Sequence, residues 1–153
     1  SAAVFPRHYP LEVTASEWDD VFAVNARAPF LCAQQAARLM GAGGSIVNIA
    51  DTGAFEAWPA YVPYVATKAA LVSLTMGLAR AWGPRIRVNA VLPGPVLLPE
   101  DASGLEEIEA AARRTVLERV GSAEDVAQAV LYLDRATFVT GELLRVDGGH
   151  HLK

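Results

Sequence analysis

Tyr64 and Lys68 are spaced for proton transfer. They stand four apart in Tyr64-Val-Ala-Thr-Lys68, and Asp51 stands thirteen positions before the tyrosine. On a helix, residues four apart share a face, about 5–6 Å apart at Cβ. An ammonium beside a phenol favours the phenolate, and so lowers a tyrosine pKa that is otherwise about 10. A tyrosine so placed becomes an acid–base group usable near neutral pH. The spacing alone is weak, because any amphipathic helix can carry Tyr and Lys in this way. Tyr61 competes for the role, but it has no lysine four residues on.

The elements around the pair carry the argument further. Thr14-Ala-Ser-Glu17 is a capping box opening a helix that runs to about Met40, with Pro29 inside it. A proline there removes the amide that would bond the Asn25 carbonyl, so a kink is expected. Gly41-Ala-Gly43-Gly44 reads as the helix end and a turn. Gly44–Ala50 reads as a buried parallel strand ending at Asp51, and Thr52–Pro63 as a loop. A small, apolar helix is predicted from about Tyr64 to Trp82, and a second strand over 86–92. A Pro-rich loop over Pro93–Pro99 precedes a helix from about Gly104 to Arg119. Ser122 caps a helix to about Leu133, and the last strand covers about Glu142 to Val146. Alternating helices and near-continuous apolar strands indicate α/β architecture: a doubly wound parallel sheet covered on both faces. In such sheets ligands sit beyond the carboxyl ends of the strands, where Asp51 and Pro93-Gly94 both fall.

Taken in order, five motifs resemble the short-chain dehydrogenase/reductase family. They are Val21-Phe-Ala-Val-Asn25, the strand ending at Asp51, Tyr64-x-x-x-Lys68, Val88-Asn-Ala-Val-Leu-Pro-Gly94 and Leu143-Leu-Arg-Val-Asp147-Gly-Gly149. The resemblance implies that Tyr64 is the general acid and that Lys68 supports it and holds the nicotinamide ribose. It implies that the Asn25 main-chain carbonyl holds a water in a proton relay. Pro93, Gly94 and Val96 would lie against the nicotinamide. The family often has Ser or Thr shortly after that turn, whereas this chain has Leu97 and Leu98.

Asp51 departs from the family pattern, which usually has a serine there to hydrogen-bond a substrate carbonyl. An aspartate at this spacing resembles the pteridine reductase subfamily, as do Pro93–Glu100 and Leu117–Asp125. That likeness implies reduction of a ring C=N in a pterin-type substrate, with Asp51, Tyr64 and Lys68 as the proton-transfer set. Phe5 would then stack on the pterin. The alternatives are a carbonyl reductase or alcohol dehydrogenase acting on another substrate, and a non-catalytic module that associates with other subunits. The implied cofactor is NADP(H), with NAD(H) left open because the choice is made on the family's second strand. The family's Gly-rich βαβαβ half has no counterpart in this chain, so residues 1–153 are expected to be the C-terminal, catalytic part of one domain. Family assembly implies a homotetramer or homodimer built on helices 15–40 and 64–82 and on the last strand.

Composition sets the outer bounds. Of 153 residues, 52% are hydrophobic and 20% charged, ordinary values for a globular α/β protein. The net charge of −4 argues against a nucleic-acid surface. No uninterrupted apolar run reaches the roughly 18 residues of a membrane span, and no signal peptide is visible, so a cytoplasmic location is expected. Cys32 is alone, which excludes an internal disulfide, and it reads as a small core residue. His150-His151 reads as a solvated tail rather than a metal site. The acidic run Glu100, Asp101, Glu106, Glu107 and Glu109 reads as a solvated face.

Overall fold

The computed structural model describes residues 2–96 and 104–153. Three parallel strands form its sheet: β1 (Gly44–Ile49), β2 (Ile86–Pro93) and β3 (Leu143–Val146), in the order β1-β2-β3. β1 pairs with β2 from Gly44↔Ile86 to Ile49↔Val91, and β2 with β3 from Ala90↔Leu143 to Pro93↔Val146. This register brings Asp51, Pro93-Gly94 and Asp147 to the carboxyl end of the sheet.

The central strand β2 is buried on both faces, as a parallel sheet flanked by helices requires. Ile86 and Val88 pack with Ala37 and Ala79, and Ala90 and Leu92 pack with Leu71 and Val72. Those partners come from α2 (Ala28–Leu39) and α3 (Val62–Trp82). On the other face Val91 packs with Ala129 and Leu133 of α5 (Ala123–Arg135). Arg87 then ties the sheet to the end of α5, donating to the carbonyls of Leu133, Asp134, Ala136 and Val139. A guanidinium there satisfies orphan carbonyls and complements the helix dipole. By length and composition α3 would suit a membrane span. Here it is a core helix, with Tyr64, Thr67, Lys68, Leu71, Val72, Thr75 and Ala79 buried.

The first long helix is not one regular element. α1 (Ala15–Phe22) keeps its capping box, then Ala23–Arg27 forms a π turn before α2 begins. Ala28 N donates to Ala23 O, five residues back. The chain accommodates Pro29 by widening one turn rather than by a simple kink. The Gly41–Gly44 cluster forms the α2–β1 turn, with Gly43 at φ 85° and its N–H on Arg85 O.

Four further expectations change. α3 starts at Val62, with Pro63 in its first turn, where a missing N–H costs nothing. The helix expected to reach Arg119 is α4 (Leu105–Arg113) and stops early. Buried Thr115 follows its end: its hydroxyl has Ala112 O and Arg119 O as alternative acceptors and accepts from Arg119 N, local bonds that compete with the helix ladder. Cys32 is exposed rather than in the core, because α2 buries only its Ala33 and Ala37 face. His150-His151 is no loose tail. His151 Nδ1 lies 2.6 Å from Asp147 Oδ2, and His150 Nδ1 lies 2.9 Å from Arg114 O. Leu97, Leu98, Pro99, Glu100 and Asp101 lie outside the described residues.

Candidate active site

Asp51 lies two residues beyond the end of β1, and half of its carboxylate is structural. Oδ1 accepts from Gly53 N at 2.7 Å and caps a 3₁₀ turn over Thr52–Phe55. Oδ2 accepts from the Tyr64 hydroxyl at 2.6 Å. Asp51 thus caps the turn with one oxygen and meets Tyr64 with the other. Lys68, one helical turn after Tyr64, is buried and donates to Ile49 O at 3.2 Å. Its Nζ lies 5.5 Å from the Tyr64 ring centre. Asp51, Tyr64 and Lys68 thus meet at the carboxyl end of β1.

The electrostatics depart from expectation. Tyr64 is held well above its ordinary value, first by burial, then by the charge and hydrogen bond of Asp51. The lysine does not win, because burial also depresses Lys68 against the opposing pull of Asp51. Asp51 itself is raised, since burial outweighs the hydrogen bonds from Tyr64 and Gly53 and the Lys68 charge. Tyr64 is therefore a neutral phenol, and Asp51 is a carboxyl that holds its proton to higher pH than usual.

Asn25 is 2% exposed, and its side chain is committed to structure. Its amide clasps Val4, accepting from Val4 N at 2.9 Å and donating to Val4 O at 2.8 Å. It also donates to Thr67 Oγ1 at 3.3 Å, one residue before Lys68. Pro29, four residues on, has no N–H to bond the Asn25 main-chain carbonyl. The Val4 clasp also sets Phe5, whose ring lies 4.4 Å from Tyr64 edge-on and stacks on Tyr61 at 4.3 Å. Tyr61, the competing tyrosine, is thus a wall of the site and the N-cap of α3. The residue that sequence reasoning missed is Trp58, whose ring runs parallel to Tyr64 at 6.3 Å. Nothing local in the loop sequence pointed to it, apart from its being a tryptophan between two catalytic candidates.

Pro93, Gly94 and Val96 lie just beyond β2. Gly94 is pressed so close to Asp147 that an added Cβ would meet its Cβ at 2.5 Å. Val96 pairs with Gly121. Asn25, Ile49 and Lys68 line a cavity of about 460 Å³ on the side of β1 away from β2. An ammonium carries three donors, and Lys68 uses one on Ile49, so its donor set fits ribose hydroxyls. Among the described residues no cluster of three or more His, Cys, Asp or Glu is poised for a metal.

A parallel, two-faced sheet with Asp, Tyr and Lys converging at its carboxyl end defines a Rossmann-type α/β module with a proton-handling cluster at its strand ends. Residues 1–151 match a family model described as enoyl-(acyl carrier protein) reductase. A short-chain type dehydrogenase/reductase of Picea abies is 37% identical over 158 residues, covering 97% of this chain and 58% of the relative. The angucycline C-6 ketoreductase LanV with bound NADP superposes with a TM-score of 0.92 at 31% identity, over 100% of this chain and 61% of that one. A 4-hydroxyisoleucine dehydrogenase complexed with NADH gives a TM-score of 0.92 at 30% identity, over 100% and 67%. The chain belongs to the short-chain dehydrogenase/reductase family. It spans about three fifths of the length of the first two of these relatives.

Proposed function

We propose that the full protein is an NADP(H)-dependent reductase of a ring C=N in a pterin-type substrate, and that residues 1–153 are its catalytic part. The observation that carries this is the 2.6 Å hydrogen bond from the Tyr64 hydroxyl to a half-buried Asp51 carboxyl. A bound nicotinamide cofactor would supply the hydride. The protein must then deliver one proton to the nitrogen, and hold the ring while it does so. A carboxyl whose pKa burial has raised can carry that proton, and so can a phenol that stays neutral. Asp51 would also accept from ring N–H groups, which a serine does less well. Lys68 would hold the ribose and return protons to Tyr64, with the Asn25 carbonyl anchoring the relay water.

Reduction of a ketone on a flat polycycle is the second reading. It is favoured by the angucycline ketoreductase likeness, which comes with bound NADP. The NADH-bound relative keeps NAD(H) open as the cofactor. The two readings part on Asp51. In the full-length protein, Asp51→Ser is expected to lower kcat/KM for a dihydropterin by one to several orders of magnitude, within the range of about 10²–10⁴ for positioned acid–base groups. The same change should leave an activated ketone equal or improved, because it installs a neutral hydroxyl donor. A wild type that ignores dihydropterins, or a mutant that reduces them equally well, defeats the pterin reading in favour of the ketone.

A further inference from the structure

We propose that Trp58, fixed in place by Glu56, is the residue that selects flat, ring-bearing substrates at this site. The proposal rests on the reductase reading but not on the choice between C=N and C=O. Trp58 sits in the loop between the Asp51 turn and α3. Its indole N–H donates to Glu56 Oε2 at 2.8 Å, which fixes the ring's rotation. The ring lies on Gly53, where an added Cβ would come within 2.9 Å of it, so only glycine leaves room for this packing.

The result is a corner made of two ring planes. Trp58 and Tyr64 are parallel within 7°, while Phe5 and Tyr61 are parallel within 4°. The second pair stands nearly perpendicular to the first, at 71° between Phe5 and Tyr64 and 79° between Trp58 and Tyr61. Phe5 is 45% exposed and Trp58 is half-buried, so both can meet an incoming ligand. Aromatic faces and edges of this kind reward a flat ring and give an acyclic chain little. The corner's inner member is Tyr64, which is buried and directs its hydroxyl at Asp51. Glu56 acts through Trp58 and is a positioning residue.

The test uses the full-length protein with Trp58→Ala, Trp58→Phe, Glu56→Ala and Glu56→Gln. Steady-state kinetics compare a dihydropterin and tetralone, both bicyclic, with acyclic diacetyl. Trp58→Ala should raise KM for the bicyclic substrates by about tenfold, the size of one lost stacking partner, with kcat little changed. Diacetyl parameters should not move, and Trp58→Phe should retain most of the preference. Glu56→Ala should shift KM in the same direction, and Glu56→Gln should restore it, since its amide oxygen still accepts from the indole. Equal effects on cyclic and acyclic substrates, or none on either, overturn the assignment.

Calorimetric titration of tetralone, with oxidised cofactor present, separates the two claims. Trp58-dependent binding without turnover of any substrate keeps the Trp58 assignment and removes the reductase reading. Turnover whose ring preference survives Trp58→Ala does the reverse. Absence of both overturns both.

Discussion

The Tyr64 hydroxyl and Asp51 Oδ2 are 2.6 Å apart, at the short end for an O–H···O hydrogen bond. The bond spans thirteen residues and joins the end of β1 to the first turn of α3. It gives a phenol and a carboxyl one shared proton-handling geometry. Replacing Tyr64 by Phe in the full-length protein should cut turnover at least about a hundredfold, because a positioned proton donor contributes about 10²–10⁴. Cofactor affinity, read by fluorescence titration, should be spared. Unchanged turnover would take Tyr64 out of the mechanism.

Asp51 sets a pH dependence whose sign follows from burial. Its folded pKa is raised above the ordinary carboxylate value, so the folded state binds the proton more tightly than the unfolded chain does. Stability therefore falls as pH rises from the unfolded pKa through the folded one. Asp51→Asn should raise the melting temperature near neutral pH, and the gain should shrink below the ordinary carboxylate range. Thermal denaturation of both proteins across that range checks it. A gain that grows on acidification contradicts the raised pKa.

Assembly should use the outer faces of the long helices. On those helices Leu31, Leu39 and Met76 are 46%, 88% and 48% exposed. The full-length protein is expected to be a homotetramer at micromolar concentration, with a homodimer as the smaller stable unit. Light scattering that returns a monomer would contradict this.

Among the described strands β1 pairs only with β2, so its other edge carries unpaired backbone groups. The cavity lined by Asn25, Ile49 and Lys68 lies on that side of β1. Residues 1–153 expressed alone should therefore associate or precipitate rather than behave as a monomer. A cooperative unfolding transition in a sample shown to be monomeric would disprove it.

The order of helices and strands and the chemical inventory were legible in the residues alone, though not every helix boundary. The capping boxes at Thr14 and Ser122 are local, and both form as written. The apolar run of β2 and the small-residue face of α3 follow from periodicity, which is why the two-faced parallel sheet was legible. Tyr64 and Lys68 were legible because their spacing is a helical one. What the sequence could not decide were quantities set by distant neighbours. Proton affinity at Tyr64 depends on burial and on a carboxylate thirteen residues away, and these reverse the effect expected from Lys68 alone. The exposure of Cys32 depends on which face of α2 finds a partner. The π turn before Pro29 is one of several ways to accommodate a missing amide, and the packing of Asn25 against Val4 and Thr67 accompanies it. Trp58 escaped notice because its role is geometric: an indole becomes a wall of the site only when Gly53 leaves space beneath it and Glu56 holds its N–H. Local order was written in residue types, whereas the site's electrostatics and shape arose from contacts between segments far apart in the chain.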